Sequence, residues 1–259
     1  MSDAPIILTM KWGPLFSSDY VTVLHNACRA ASQRPFRFVC LTDDATGLLS
    51  DIEALPLPEC GLAPNDWYRP GVWPKISLYQ RNLAGLRGRA LFIDLDMMVL
   101  RDIDSFFDRP APFITTDMGQ SWRPEGGNQP PEAGTSLFAF NLGQEGQILD
   151  SFAADPEAAM GRFHNEQDFV GAHASSMDYW PQGWVISFKR WLRRPIGLDL
   201  VLSPKTPPAS AKVLAFHGKP RPAALLRGGI NFWDRFPHLG RGRVSWVADY
   251  WTGFGGRLP

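Results

Sequence analysis

The chain opens as a series of short apolar runs set between stretches with apolar residues three and four apart. Pro5 to Met10 reads as a buried strand. Ser17 or Ser18 can cap a helix running to about Ala31, with Val21, Leu24 and Cys28 on one face. Phe36 to Thr42 is a second strand, closed by Asp43-Asp44, and residues 45–71 are irregular apart from a short strand near Ile52–Leu55. The spacing of Ile76, Tyr79, Leu83 and Leu86 predicts a helix from Pro74 to Leu86, with Pro in the first turn, where its missing N–H costs nothing. Further strands are expected at 90–96, 113–116, 135–141, 185–188 and 213–216, and helices at 145–154 and from about Asn165. Strands alternating with helices through the first half point to an α/β fold around a mostly parallel sheet.

Within this pattern, Ala90-Leu91-Phe92-Ile93-Asp94-Leu95-Asp96 carries the most chemistry. An unbroken apolar run suggests a strand buried on both faces, and in open α/β sheets ligands lie beyond the carboxyl ends of such strands. In an extended chain residues two apart point to the same side, so Asp94 and Asp96 can both reach one hard cation. The plainer alternative is that one caps a turn and the other is solvated. His217, closing Val213-Leu214-Ala215-Phe216, offers a third ligand, and two carboxylates with an imidazole suit Mn²⁺ (or Mg²⁺) better than Ca²⁺. A lone histidine is otherwise an ordinary surface or core residue. Lys219 follows Gly218, and a lysine beside a metal-held diphosphate neutralises charge on a leaving group.

Composition narrows the classes. The 259 residues suit one large domain, or one with a small appendage. The 26 basic and 26 acidic side chains cancel, which argues against generic nucleic-acid binding. Cys28, Cys40 and Cys60 show neither metal spacing nor a disulfide framework, so reduced thiols and a cytoplasmic setting are expected. No leader-like start and no apolar stretch of membrane-spanning length is expected. Peripheral contact with the inner face of a membrane stays open, because the tail holds Trp and Arg without a clean amphipathic helix.

Three motifs resemble those of GT-A fold glycosyltransferases, most closely family 8, which includes glycogenin and bacterial galactosyltransferases. The first is Trp73-Pro74-Lys75-Ile76-Ser77-Leu78-Tyr79 followed by the Asp94-Leu95-Asp96 strand. The second is Gly134-Thr135-Ser136-Leu137-Phe138-Ala139-Phe140-Asn141, with Gly134 where that family has Asn. The third is Asn165-Glu166-Gln167-Asp168, with Glu166 for Asp. His217-Gly218-Lys219-Pro220 is similar to a shortened form of the family's terminal motif. The resemblance implies a Rossmann-like nucleotide-diphospho-sugar transferase fold over residues 1–224, with 225–259 as an extension packed on it. It implies that Asp94, Asp96 and His217 hold Mn²⁺ and that Lys75 and Lys219 face the donor phosphates. Lys11 to Phe16 and Asp43-Asp44 would cradle the nucleoside, Asp44 either accepting from a uracil or ribose donor or merely capping a turn.

The reaction so implied moves a sugar from a nucleotide-sugar, UDP-linked by expectation, to an acceptor hydroxyl with retention. Glu166, Gln167 and Asp168 would position the sugar. The acceptor (saccharide, lipid-linked glycan or protein) is left open, with the 119–133 loop and the 225–259 tail as its expected walls. Two other readings compete. A haloacid-dehalogenase-like phosphatase also uses Asp-x-Asp, but there it opens the chain and is followed two residues on by Thr or Val, where Met98 stands here. A non-catalytic nucleotide-sugar or glycan-binding protein would suit the ten tryptophans but leave the Asp, His and Lys residues unused.

Overall fold

The parallel half of the sheet forms from runs that alternate between two apolar clusters. In the computed structural model, which describes residues 4–119, 122–126, 128–195, 197–227 and 243–259, β1 (Ile6–Lys11) sends Ile7 to one cluster and Ile6, Leu8 and Met10 to the other. The strand at Arg89–Ile93 does the same with Leu91 and Ile93 against Ala90 and Phe92. Alternation with both faces covered is what a buried parallel sheet requires.

In chain order, α1 (Ser18–Ala31), β2 (Arg37–Thr42), β3 (Glu53–Pro56), β4 (Arg89–Ile93) and β5 (Met97–Val99) follow β1. Then come β6 (Phe113–Asp117), β7 (Ala133–Asn141), α2 (Gly146–Ala154), α3 (Pro156–Arg162), α4 (Glu166–His173) and β8 (Asp178–Tyr179). β9 (Val185–Ser187), α5 (Phe188–Trp191), β10 (Val213–Ala215) and α6 (Ser245–Gly253) complete the described elements. The seven-stranded sheet has the order β3-β2-β1-β4-β7-β6-β8, and a three-stranded sheet has the order β5-β10-β9. β7 runs antiparallel to both β4 and β6, while the β1–β2, β1–β4, β2–β3 and β6–β8 pairs are parallel.

One cluster holds α1, α6 and the small sheet, and the other lies under α2 and α4 and includes a group of packed aromatics, where Trp73 stacks on Phe152 at 5.5 Å. α6 docks through Val247, Ala248 and Trp251, whose ring meets Tyr20 edge-on at 4.8 Å, and Tyr250 Oη donates to Val99 O at 2.9 Å. The three cysteines are buried free thiols. Among the described residues no helix is long and apolar enough to cross a membrane.

Two expectations are corrected. The helix expected over 74–86 is a 3₁₀ helix over Trp73–Tyr79 only. Its residues are buried without exception, and the chain then turns away through Ala84 and Gly85, both at positive φ, to reach β4. The strand expected to reach Asp96 ends at Ile93. There Asp94 N–H bonds Ser136 O at 2.9 Å, and Met97 N–H closes a turn on Asp94 O at 3.2 Å, swinging the chain into the second sheet. α3, capped by the Asp155 carboxylate accepting from Ala158 N–H, and the short β8 were not expected.

Candidate functional site

A cavity of about 220 Å³ opens at the carboxyl end of β4, the edge at which ligands of open α/β sheets bind. Asp94, Asp96, Lys75, Thr135, Glu166, Gln167 and His217 all line it. Four elements supply all but His217: the β4–β5 turn, the buried 3₁₀ helix, β7, and the first turn of α4. The segment after β10 brings His217, drawn to the Asp96 turn by the Phe216 N–H bond to Asp96 O at 3.3 Å.

Lys75 is the centre of the wall. Its ammonium donates to Thr135 O at 2.8 Å and Asp94 Oδ2 at 3.1 Å, and lies 4.0 Å from Glu166 Oε2. Burial works against the Lys75 charge, but Asp94 and Glu166 outweigh it and hold the ammonium above its ordinary pKa. Glu166 is 2 % exposed. Its Oε2 accepts from Thr135 Oγ1 at 2.8 Å, while Oε1 is buried with no hydrogen-bond partner. Burial, partly offset by Lys75, pushes this carboxyl up to about 7. A buried oxygen without a donor costs roughly 1–3 kcal/mol, so the group either carries a proton or awaits a donor from a ligand. α4 places it there because Asn165 Oδ1 caps the helix on Asp168 N–H at 2.9 Å and Glu166 N–H bonds Gly71 O at 2.8 Å.

Asp94 and Asp96 share the cavity from the turn rather than from an extended strand. Burial raises both, and Asp94 adds to the rise at Asp96, which reaches about 7. Two crowded carboxyls lacking enough positive charge suit a hard divalent cation in donor chemistry. His217 lines the same cavity, but its Nε2 faces Ser187 Oγ at 2.8 Å, and burial followed by Lys189 and Arg190 pushes the ring down to about 4. Among the described residues no three His, Cys, Asp or Glu side chains converge as a metal-binding group. The fit to a cation is therefore that of the Asp94–Asp96 pair.

The remaining expected residues divide. Gln167 bridges this cavity and a second hollow of about 310 Å³, whose wall includes Asp168, Glu132 and Tyr179; Asp168 lines that hollow and not the main cavity. Lys219 is exposed and does not line the cavity. Lys11 is buried and donates to Asp44 O at 3.2 Å. Asp43 Oδ2 accepts from Gly13 N–H at 2.9 Å, and Asp44 Oδ1 accepts from Thr46 N–H at 2.9 Å, the turn-capping alternative. Asp43 also borders a hollow of about 590 Å³ with Trp67 and Tyr68. Of the expected acceptor walls, Trp122 from the 119–133 loop lines the main cavity, its ring 5.2 Å from that of His217. Residues 243–259 do not line it; residues 228–242, with Trp233, lie outside the described residues, as do Gln120, Ser121 and Gly127 of the loop.

Sequence reasoning gave Thr135 no role beyond its place in the second motif and missed Ser187, the partner of His217; Thr135 lines the cavity and holds Glu166, and only the fold brings Ser187 to His217.

No family model matches the chain, and no curated protein matches it. Solved structures do. The galactosyltransferase LgtC, solved with donor and acceptor sugar analogues, superposes with a TM-score of 0.60 at 13 % identity, over 96 % of this chain and 94 % of LgtC. GlyE, a glycosyltransferase of Streptococcus pneumoniae TIGR4, gives 0.56 at 10 % identity, over 98 % of this chain and 63 % of GlyE. The bifunctional glycosyltransferase WbbM gives 0.54 at 12 % identity, over 86 % and 47 %. The chain has the GT-A Rossmann-like fold of these glycosyltransferases.

Proposed function

We propose that the chain is a glycosyltransferase that moves a sugar from a nucleotide-sugar, UDP-linked, to a saccharide acceptor. One observation carries the reading. At the ligand-binding edge of a GT-A sheet, the Asp94–Asp96 pair faces a buried Lys75–Thr135–Glu166 network whose Glu166 Oε1 lacks a donor. A sugar hydroxyl is such a donor.

Asp94 and Asp96 would hold Mn²⁺ or Mg²⁺, with His217 on the same cavity wall as the candidate third ligand. The cation, when bound, supplies charge stabilisation to the departing nucleoside diphosphate. Lys75 fixes the orientation of Asp94 and Glu166 at once, so the carboxyl wall is organised before substrate arrives. Glu166 and Gln167 orient the transferred sugar, and Trp122, a flat apolar ring in the cavity wall, offers a face for the acceptor and excludes water. Retention at the anomeric carbon is part of the proposal.

The test is release of UDP from a panel of UDP-sugars, with Mn²⁺, with a chelator, and with Mn²⁺ restored. Turnover that the chelator removes and Mn²⁺ returns, with a retained anomer by NMR, supports the reading. Nucleotide binding without turnover on any sugar or acceptor would favour a non-catalytic nucleotide-sugar-binding protein.

A further inference from the structure

Away from the cavity, the loop between α5 and β10 has its polarity turned inside out. Asp199, the one acidic residue from Trp180 to Arg227, is 1 % exposed. Its Oδ1 accepts from Gly197 N–H at 3.0 Å, and its Oδ2 stands 3.7 Å from Arg193 Nε. Val201, two residues on, is 76 % exposed, the most exposed large apolar side chain among the described residues, and Leu198 and Leu202 are exposed with it. Hydrogen bonds fix this arrangement. Val201 N–H and Leu202 N–H both bond Leu198 O, at 3.2 and 2.8 Å. The base of the loop is closed by Lys205 N–H on Leu192 O at 2.9 Å and by Arg194 Nε on Ser203 O at 3.0 Å. A loop that meets only water keeps its carboxylate outside, and clustered exposed apolar side chains mark a surface that meets something else.

Charge says what. From Trp180 to Arg227 the chain carries nine Lys and Arg against that single buried carboxylate, although its net charge is zero. Lys212 is taken up by Asp102. Arg190 and Lys205 are exposed, and with Arg194 they flank the closed base of the loop. We propose that this loop docks the protein on an anionic phospholipid bilayer, with Leu198, Val201 and Leu202 entering the headgroup–acyl boundary and Arg190, Arg194 and Lys205 meeting the lipid phosphates. An apolar tip alone would suit any apolar partner; the cations at its base select a surface that is apolar within and negative at its face. Long basic side chains can lie along apolar surface while their heads stay at the level of the phosphates. The proposal does not depend on the glycosyltransferase reading, and it gives membrane contact to an internal loop instead of the tail.

Cosedimentation with vesicles of phosphatidylcholine alone, and of phosphatidylcholine with about one-third phosphatidylglycerol, tests this at low and high NaCl. Wild type is expected to bind the anionic vesicles, to leave them as salt rises, and to ignore phosphatidylcholine. Arg190→Gln with Lys205→Gln should weaken binding by about tenfold or more, at about fivefold for each lost charge. Val201→Ser with Leu202→Ser should weaken it by about tenfold, and Leu49→Ser, exposed between β2 and β3, should not. Circular dichroism melts show that each variant folds. A polarity-sensitive dye on Val201→Cys reads the tip without the double variants, since the native cysteines are buried, and it should shift to the blue on anionic vesicles only. Wild type that binds neither vesicle, or both alike, overturns the proposal. So does anionic binding that the Val201–Leu202 variant keeps in full, or a dye that stays in water. Wild type that self-associates in analytical ultracentrifugation and binds no vesicle, with the same two substitutions dissolving the oligomer, gives this face to a second copy of the chain and overturns it too.

Discussion

Two strands that flank β1 in the same sheet, β2 and β4, are each followed by a pair of aspartates, and the pairs have different fates. At the end of β2, Asp43 accepts from Gly13 N–H and Asp44 from Thr46 N–H, so each carboxylate is paired with backbone a few ångströms away, and both are exposed. At the end of β4, Asp94 leans on a buried lysine, Asp96 is pushed up to about 7 beside it, and Glu166 across the cavity keeps an oxygen unpaired. The first end is electrostatically complete as folded. The second is held in a state that a cation and a hydrogen-bond donor would relieve. An acidic pair at a strand end is therefore not a site in itself, and its partners decide.

Each end also has its lysine, and here the difference should be largest. Lys75→Met would strand Asp94 and Glu166 in the wall, and breaking one side of a buried charge network is expected to cost about 3–5 kcal/mol of unfolding free energy. Lys11→Met removes one bond to the Asp44 carbonyl and is expected to cost about 1 kcal/mol. Urea titration of both variants measures the gap. Equal losses would mean that the two ends are energetically alike, and the contrast would fail.

Activity should separate the ends next. Asp96→Asn is expected to lower metal-dependent turnover by roughly 10²–10³-fold, in the range set by removing one charge-stabilising group from an active site. Its metal-free melting midpoint should hold or rise, since one of two crowded carboxyls has become neutral. Asp44→Asn keeps an oxygen for Thr46 N–H and should turn over as wild type does. UDP release and calorimetric melts read the two effects separately. Asp96→Asn with full turnover would remove the central claim.

A smaller loss is expected from Thr135→Val, which takes away the hydroxyl that holds Glu166 Oε2 and leaves both carboxylate oxygens without a hydrogen-bond donor. The cost should be about 1–3 kcal/mol in urea titration, with Lys75 still in place to keep the wall closed.

How much of this could be read beforehand follows from what each residue answers to. The strands were legible because their periodicity is local: β1, β2, β4 and β7 each alternate between the two clusters, whatever lies beyond them. The helix over 74–86 was misread because Ile76, Tyr79, Leu83 and Leu86 are all buried, as a helical face would be, but in a 3₁₀ segment and the turns after it, beneath α2 and α4. Burial on every side erases the polar face that would have distinguished the two. Asp94 and Asp96 were found from their place after an apolar run, although the turn that presents them depends on Ser136, some forty residues away. His217 was found too, but not its Ser187 partner on β9. Arg221 belongs to no motif, and only the path of the chain after β10 sets its guanidinium over Phe16 at 5.2 Å.

The smallest effect tests whether the β2 end is as self-contained as it looks. Thr42 and Asp44 already bond each other twice, through Thr42 Oγ1 to Asp44 O at 3.0 Å and Asp44 N–H to Thr42 Oγ1 at 3.1 Å, and Lys11 adds a third contact. The Asp44 carboxylate is one further tie, and its bond to Thr46 holds it below its ordinary value of 3.8. A carboxyl lowered on folding stabilises the fold above its unfolded pKa and loses that contribution as the pH falls through the folded one. Asp44→Ala should therefore melt slightly below wild type at neutral pH, by less than Lys11→Met, and the difference should fade on acidification below about pH 4. Asp44→Asn, which still accepts from Thr46, should show neither. If Asp44→Ala instead leaves the melt unchanged and raises the KM for the UDP-sugar, its carboxylate serves the nucleoside, and the two strand ends are parts of one site.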